Sequence, residues 1–285
     1  MVNFYNSDTY RILKNNINKH HFRLLSETVG VLIIFGDNFI PQCILIESWN
    51  KDLNQFSSEE NDAIQIAKTI CGKINLPFYF LKYSDDMINN QSQIIYYTSQ
   101  DVNAPYDTTN LYDFFTKCIH NNSVNFTILD KEKRVAKEIN DKASTPFHIW
   151  QRKYLQYDGF PIDIDMVYYD TDIRAIIELK RSYIQNWKPY KFDEKNYLSI
   201  CKLCNLLEIN FLLFFIPQLK NNGRTVDDYE HIRIYDIYHK IGNYQNSDDV
   251  FFCQKYKISL NDLIQHNHFR FLSIPQHNDT WTPRQ

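Results

Sequence analysis

Glycine is scarce, with six residues in a chain of 285. A loop that cradles phosphate needs closely spaced glycines so that backbone N–H groups can approach the ligand, and a dinucleotide site needs the GxGxxG spacing. Neither pattern occurs, which argues against nucleotide-driven motors and Rossmann enzymes. Long apolar runs are also missing. The longest, Phe211-Leu-Leu-Phe-Phe-Ile216, has the length of a strand and not of a membrane helix, which needs about 20 residues. The opening Met-Val-Asn-Phe-Tyr-Asn-Ser-Asp lacks a basic stretch followed by an apolar one, so neither secretion nor a membrane span is expected, and the protein reads as cytoplasmic. Charge of one sign is not in excess either: 31 Lys and Arg against 34 Asp and Glu leave a formal charge of −3. Attraction to nucleic acid would have to come from a local patch.

Metal-binding spacing of sulfur and imidazole is absent as well. Cys43, Cys71, Cys118 and Cys253 are scattered through apolar segments, which suits buried free thiols in a reducing compartment. Cys201-x-x-Cys204 has no second pair and no histidine set to complete a zinc site, so a packing role is the expectation. What the chain does have is apolar material: 44% hydrophobic and 15% aromatic residues suffice for one large or two modest cores.

The most informative segment is Pro161-Ile-Asp-Ile-Asp-Met-Val-Tyr-Tyr-Asp-Thr-Asp-Ile-Arg-Ala-Ile-Ile-Glu-Leu-Lys180. Its alternation predicts a hairpin, strands 162–169 and 173–180, with Asp163, Asp165, Glu178 and Lys180 on one face. Carboxylates held together repel, and a divalent cation relieves both the repulsion and the desolvation. An all-oxygen set suits Mg²⁺, with Mn²⁺ as the substitute, and such a cation can polarise a phosphoryl oxygen and acidify a bound water. Lys180 would orient that water and stabilise charge on phosphorus. The residues outline a metal-dependent phosphodiesterase site. A solvated hairpin with charges on its outer face is the plain alternative.

These residues resemble the PD-(D/E)xK nuclease superfamily, with Asp165 matching the acid of the first strand and Glu178-Leu-Lys180 the ExK half, over roughly residues 130 to 216. Pro161 stands two positions before Asp163, so the metal ligand is Asp163 or Asp165, with Asp165 preferred. The resemblance implies a helix before the hairpin that supplies a further glutamate, Glu138 in first place and Glu132 in second. It also implies a helix and a strand after it, here 193–207 and 211–216. The expected activity is DNA cleavage leaving a 5′-phosphate, with the choice between DNA and RNA left open by the sequence. One cage per chain would cut one strand, so a double-strand cut would need a homodimer or two binding events. Lys180, Arg181, Lys188, Lys191 and Lys195 fall within sixteen residues and alternate with Tyr183, Trp187, Tyr190 and Phe192, the mixture a nucleic-acid groove uses. Arg181, Lys188, Lys191 and Lys195 are the expected contacts.

The order of elements repeats. Helix 8–18, strands 29–35 and 42–47, capped helix 58–71 and strand 77–81 precede helix 130–142, the hairpin, helix 193–207 and strand 211–216. Both halves then close with a strand, 93–97 and 231–235, and a short helix. The expected fold class is α/β with two restriction-endonuclease-like domains, each a mixed sheet flanked by helices, arising by internal duplication with an offset of about 131 to 135 residues. Convergent α/β order is the alternative. The domains are expected at 1–124 and 125–285, with the boundary in Asn121-Asn-Ser-Val-Asn125. In this alignment Glu47 overlays Glu178, while Ile34 and Trp49 replace Asp165 and Lys180, so the first copy reads as inactive. Other functional classes are a silent nuclease fold that binds DNA or a partner, and the cutting subunit of a larger mobile-element or defence complex.

Overall fold

Alternating and continuous apolar runs become strands, and runs with apolar residues three and four apart become helices. In chain order the elements are α1 (Asp8–Asn16), β1 (Phe22–Leu24), β2 (Val29–Phe35), β3 (Pro41–Trp49), α2 (Ser58–Ile74), β4 (Phe78–Tyr83), β5 (Gln93–Thr98), β6 (Asp107–Asn110) and α3 (Leu111–Asp113). They continue with β7 (Phe126–Ile128), α4 (Pro146–Tyr154), β8 (Leu155–Tyr157), β9 (Phe160–Asp163), β10 (Met166–Asp170), β11 (Asp172–Ser182), α5 (Glu194–Leu207), β12 (Asn210–Asn221), β13 (Arg224–Asp227), β14 (Ile232–His239) and β15 (Val250–Ile258). The structure, a computed structural model, describes residues 8–16, 22–24, 28–53, 55–98, 107–119, 126–132, 145–157, 160–183, 194–222, 224–239 and 250–260.

The chain forms two compact units that interleave in sequence. Leu25–Ile164 makes a contiguous unit, and Met1–Leu24 together with Asp165–Gln285 makes a split unit. This division differs from the expected halves 1–124 and 125–285. The expected boundary at 121–125 and residues 133–142 of the expected helix 130–142 lie outside the described residues, while 130–132 are described and are not helical.

The contiguous unit is built on a six-stranded mixed sheet in the order β6-β5-β4-β3-β2-β9. Only the β3–β4 pair is parallel, because α2 carries the chain from the end of one to the start of the other. Ser57 caps α2: its hydroxyl accepts from Glu60 N, and the Glu60 side chain returns the bond. Asn75, in the left-handed region at φ 52°, ends the helix. Apolar residues at helical spacing, Ala63, Ile66, Ala67 and Ile70 among them, are buried. On the sheet's other face Leu45, Leu81, Phe115, Phe147 and Trp150 belong to one core, with the Phe115 and Trp150 rings 5.4 Å apart.

The split unit has a seven-stranded mixed sheet, with β1-β10-β11-β12-β14-β15 in line and β13 paired to β12. Again the third and fourth strands along this line, β11 and β12, are parallel and joined by a helix, α5, while the other pairs are antiparallel. α5 also ends in the left-handed region, at Glu208 with φ 56°. The backbone bond that follows, Ile209 N to Cys204 O at 2.9 Å, matches Leu76 N to Cys71 O at 3.3 Å in the other unit. Met166, Tyr168, Ile177, Leu212 and Phe214 form the core on one face, joined by Leu13 of α1 and Phe22 of β1. The architecture is therefore α/β, with mixed sheets and few helices.

Two expectations change here. The strand read over 162–169 is two strands: β9 pairs with β2 in the contiguous unit, and β10 pairs with β1 and β11 in the split unit. Ile164, between them, donates its N–H to Val31 O at 2.9 Å, so the chain stays with β2 up to that point. The segment between the expected strands 211–216 and 231–235 is partly a ribbon, because β12 runs on past Pro217 and returns as β13.

Candidate functional site

β10 and β11 pair with Met166 opposite Ile177 and Val167 opposite Ile176. One further step in this register sets Asp165, the residue before β10, across from Glu178. Opposed residues in an antiparallel pair have Cβ atoms about 5 Å apart and share a face. Asp165 is held there: its Oδ2 accepts from Leu179 N at 2.8 Å, where the ladder has run out of a backbone partner. Met166 and Ile177 face the core shared with Leu13, so period-2 alternation turns Val167, Ile176, Glu178 and Lys180 to the opposite face. α5 covers the lower part of that face, where Tyr197 packs on Phe211, the residue paired with Ile176.

Asp165, Glu178 and Lys180 are all half-buried. On the next strand Glu178 stands beside Leu213 and Lys180 beside Phe215, both buried. Two carboxylates and an ammonium thus lie on an apolar floor, where charges interact more strongly than in water. Among the described residues there is no cluster of three or more His, Cys, Asp or Glu. Among the described residues, the acidic donors that meet on this face are Asp165 and Glu178. That set fits Mg²⁺, which uses one or two carboxylates and completes its shell with water or substrate oxygens.

The other expected residues are placed differently. Asp163 is exposed on β9, opposite Leu32, and belongs to the sheet of the contiguous unit. Its charge acts on His148 of α4. Glu138 lies outside the described residues, as do Lys188 and Lys191. Glu132 belongs to the contiguous unit and pairs with Lys153 at 3.1 Å. Arg181 is turned to Asp227, 3.4 Å away, and braces β13 against β11. Lys195 is exposed in the first turn of α5.

In the contiguous unit the residues opposed in the same way, on the face covered by the crossover helix, are Val31 and Ile46, both fully buried. Ser48 stands where Lys180 stands. Its hydroxyl donates to Glu60 Oε1 at 2.6 Å, and Lys82 Nζ lies 3.0 Å from the same oxygen, so this face is closed by a buried ion pair. Glu47 does not overlay Glu178, because it points to the other face. There it accepts from Tyr83 Oη at 2.7 Å and from Thr145 Oγ1 at 2.8 Å. Gly30, its cross-strand neighbour, makes room: a Cβ at that position would stand 3.0 Å from Glu47 Oε1. Burial raises the Glu47 carboxyl to about 7, with the two hydrogen bonds pulling the other way.

Sequence reasoning missed Tyr83, Thr145 and helix α4. A signal for the helix was available in Thr145-Pro146, an N-cap residue followed by proline at the first helical position. Nothing in the sequence pairs Tyr83 or Thr145 with Glu47, 36 and 98 residues away. No protein-family model, curated protein or solved structure matches the chain.

Proposed function

We propose that the protein is a Mg²⁺-dependent endonuclease of the PD-(D/E)xK type that hydrolyses phosphodiester bonds in DNA, with its site on the split unit. The observation that carries this reading is the meeting of Asp165 and Glu178 across one antiparallel pair, on the face that also holds Lys180. A bound magnesium ion supplies Lewis acidity toward a phosphoryl oxygen and lowers the pKa of a water. Asp165 and Glu178 would hold such a cation, with Asp165 in a posture set by Leu179 N. Lys180 donates to the attacking water and to the oxygens of the pentacovalent phosphorus, whose charge grows in the transition state. In-line attack breaks the P–O3′ bond and leaves a 5′-phosphate.

The two sheets support a duplication. They share strand order, strand sense, the crossover helix and its left-handed terminus. In this reading the copies have exchanged their opening segments: α1 and β1 complete the split unit, while α4 and β9, which open the second copy, complete the contiguous unit. The contiguous unit is then a catalytically silent nuclease-like copy, since Val31 and Ile46 take the places of the two acids.

The test is cleavage of plasmid, linear duplex, branched DNA and RNA with and without Mg²⁺. Glu178→Ala and Lys180→Ala should each lower the rate at least about a hundredfold while leaving the thermal melt within a few degrees of the parent. Cleavage at the parental rate in either variant sinks the proposal. A second reading, a silent fold that only binds DNA or a partner, is favoured by the apolar residues at the matching positions of the contiguous unit. It requires binding without Mg²⁺-dependent cleavage in the parent.

A further inference from the structure

The β12–β13 ribbon has no role in the chemistry above and is built unlike the rest of the sheet. β12 pairs with β14 only as far as Phe215 and then runs on, returning through Asn222, at φ 49°, as β13. Its base is braced: Arg181 and Gln218 both contact Asp227, at 3.4 and 3.0 Å, and Asp228 N donates to Pro217 O at 2.7 Å. Beyond the brace, Leu219 and Val226 oppose each other across the ribbon and are 48% and 41% exposed. Packed on each other, the two side chains still leave about half of their surface in water, apolar surface that a partner would cover. Lys220, also exposed, holds its ammonium 5.8 Å from the centre of the Tyr183 ring, itself 63% exposed.

Charge and residue types select the partner. From Leu219 to Val226 the sequence is Leu-Lys-Asn-Asn-Gly-Arg-Thr-Val, with two cations and no acid in a chain of net charge −3. Lys, Arg, Asn and Thr are the side chains that read base edges, and aliphatic groups read the thymine methyl. A two-stranded ribbon has the width the major groove of a duplex admits, about 12 Å. Leu219 lies four residues beyond Phe215, the neighbour of Lys180, and alternation puts it on the same sheet face. That is about 13 Å along the strand, or roughly four base pairs of duplex.

We propose that the β12–β13 ribbon is the duplex-reading element, turning Leu219 and Val226 toward the bases in the major groove of double-stranded DNA, with Lys220 on the ribbon's other face toward the groove wall's phosphates, while a phosphate of the same duplex reaches Lys180. The proposal rests on the nuclease reading for what happens after binding, but the binding itself is tested separately.

The experiment is fluorescence anisotropy of the full chain with a labelled duplex and with one of its strands alone, in EDTA and over a salt series. The parent should prefer the duplex. Leu219→Ser/Val226→Ser should weaken duplex binding about tenfold or more, and Lys220→Ala should weaken it and flatten the log–log salt slope by about 1. All three side chains are exposed, so the melting temperature should hold, and Lys220→Ala tests the idea even if the double variant does not fold. The proposal falls if the ribbon variants bind like the parent, or if the parent binds the single strand equally well. It falls too if the parent sediments as a dimer and the double variant as a monomer of unchanged DNA affinity, which would make the ribbon a contact between copies. Ribbon-dependent binding without Mg²⁺-dependent cleavage would sink the hydrolytic reading alone, and Mg²⁺-dependent cleavage with ribbon-independent binding would sink this proposal alone.

Discussion

Glu47 shows how one buried carboxyl ties stability to pH. Tyr83 and Thr145 donate to it, and they accept in turn from Phe147 N and His148 N, so the carboxyl anchors the first turn of α4. Burial raises it from an ordinary 4.5 to about 7, which means the folded chain keeps a proton that the unfolded chain has lost between those values. The stabilisation is fully present below about pH 4.5 and is lost as pH rises through about 7, a swing of roughly 3 kcal/mol. His148 slopes the other way: burial first, then Arg152, lowers its pKa against the pull of Asp163, so its contribution is lost as pH falls below 6.5. Comparing the parent with Glu47→Gln at each pH cancels the histidine. Urea melts from pH 4.5 to 8 should show the parent losing stability relative to Glu47→Gln, and parallel curves would refute this account. Neither Tyr83 nor Thr145 was legible as a partner, since residues brought together only by folding leave no spacing to read.

At the scale of elements, the central strands and the two crossover helices were legible because each buries a face and so carries a period. β2 spans the expected residues, and β3, α2, β4 and α5 begin within a residue of their expected starts. The β12–β13 ribbon left no mark between the expected strands 211–216 and 231–235, because without a buried face it carries no period. β15 went unread as well. Helix ends permit a direct test. Glu208 holds the left-handed terminus of α5 without the freedom of glycine, at a cost of about 1 kcal/mol. Glu208→Gly should therefore raise stability by about 0.5 to 1 kcal/mol, net of the entropy glycine adds to the unfolded chain. Chemical denaturation measures it, and a loss of stability would show that the Glu208 side chain matters more than its backbone. Asn75→Gly should gain less, because asparagine tolerates the left-handed region.

At the scale of the molecule, the interleaving of the two units makes neither half of the sequence self-sufficient. Residues 1–124 carry β2 without β9, and residues 125–285 carry β10 without β1. Each half would also expose core: Phe147 and Trp150 come to the contiguous unit from α4, and Leu13 and Phe22 to the split unit from α1 and β1. Expressed separately, each half should aggregate or melt without cooperativity, because an unpaired strand edge beside exposed apolar surface invites association. Coexpressed, the halves should copurify and recover a cooperative melt. Two soluble monomeric halves, each melting like the parent, would refute this dependence of each half on the other.

Residue order settled which side chains share a face. Glu178 and Lys180 lie together because successive residues of a strand alternate, whatever its neighbours are, and the caps and turns of α2 and α5 are local in the same sense. Folding settled which strand lies beside which. Backbone N–H and C=O groups are alike at every position, so the pairing of β9 with β2 and of β10 with β1 is written in no spacing of residues. That choice set Asp163 in the sheet of one unit and Asp165 in the other unit, where, among the described residues, Glu178 is the carboxylate that faces it.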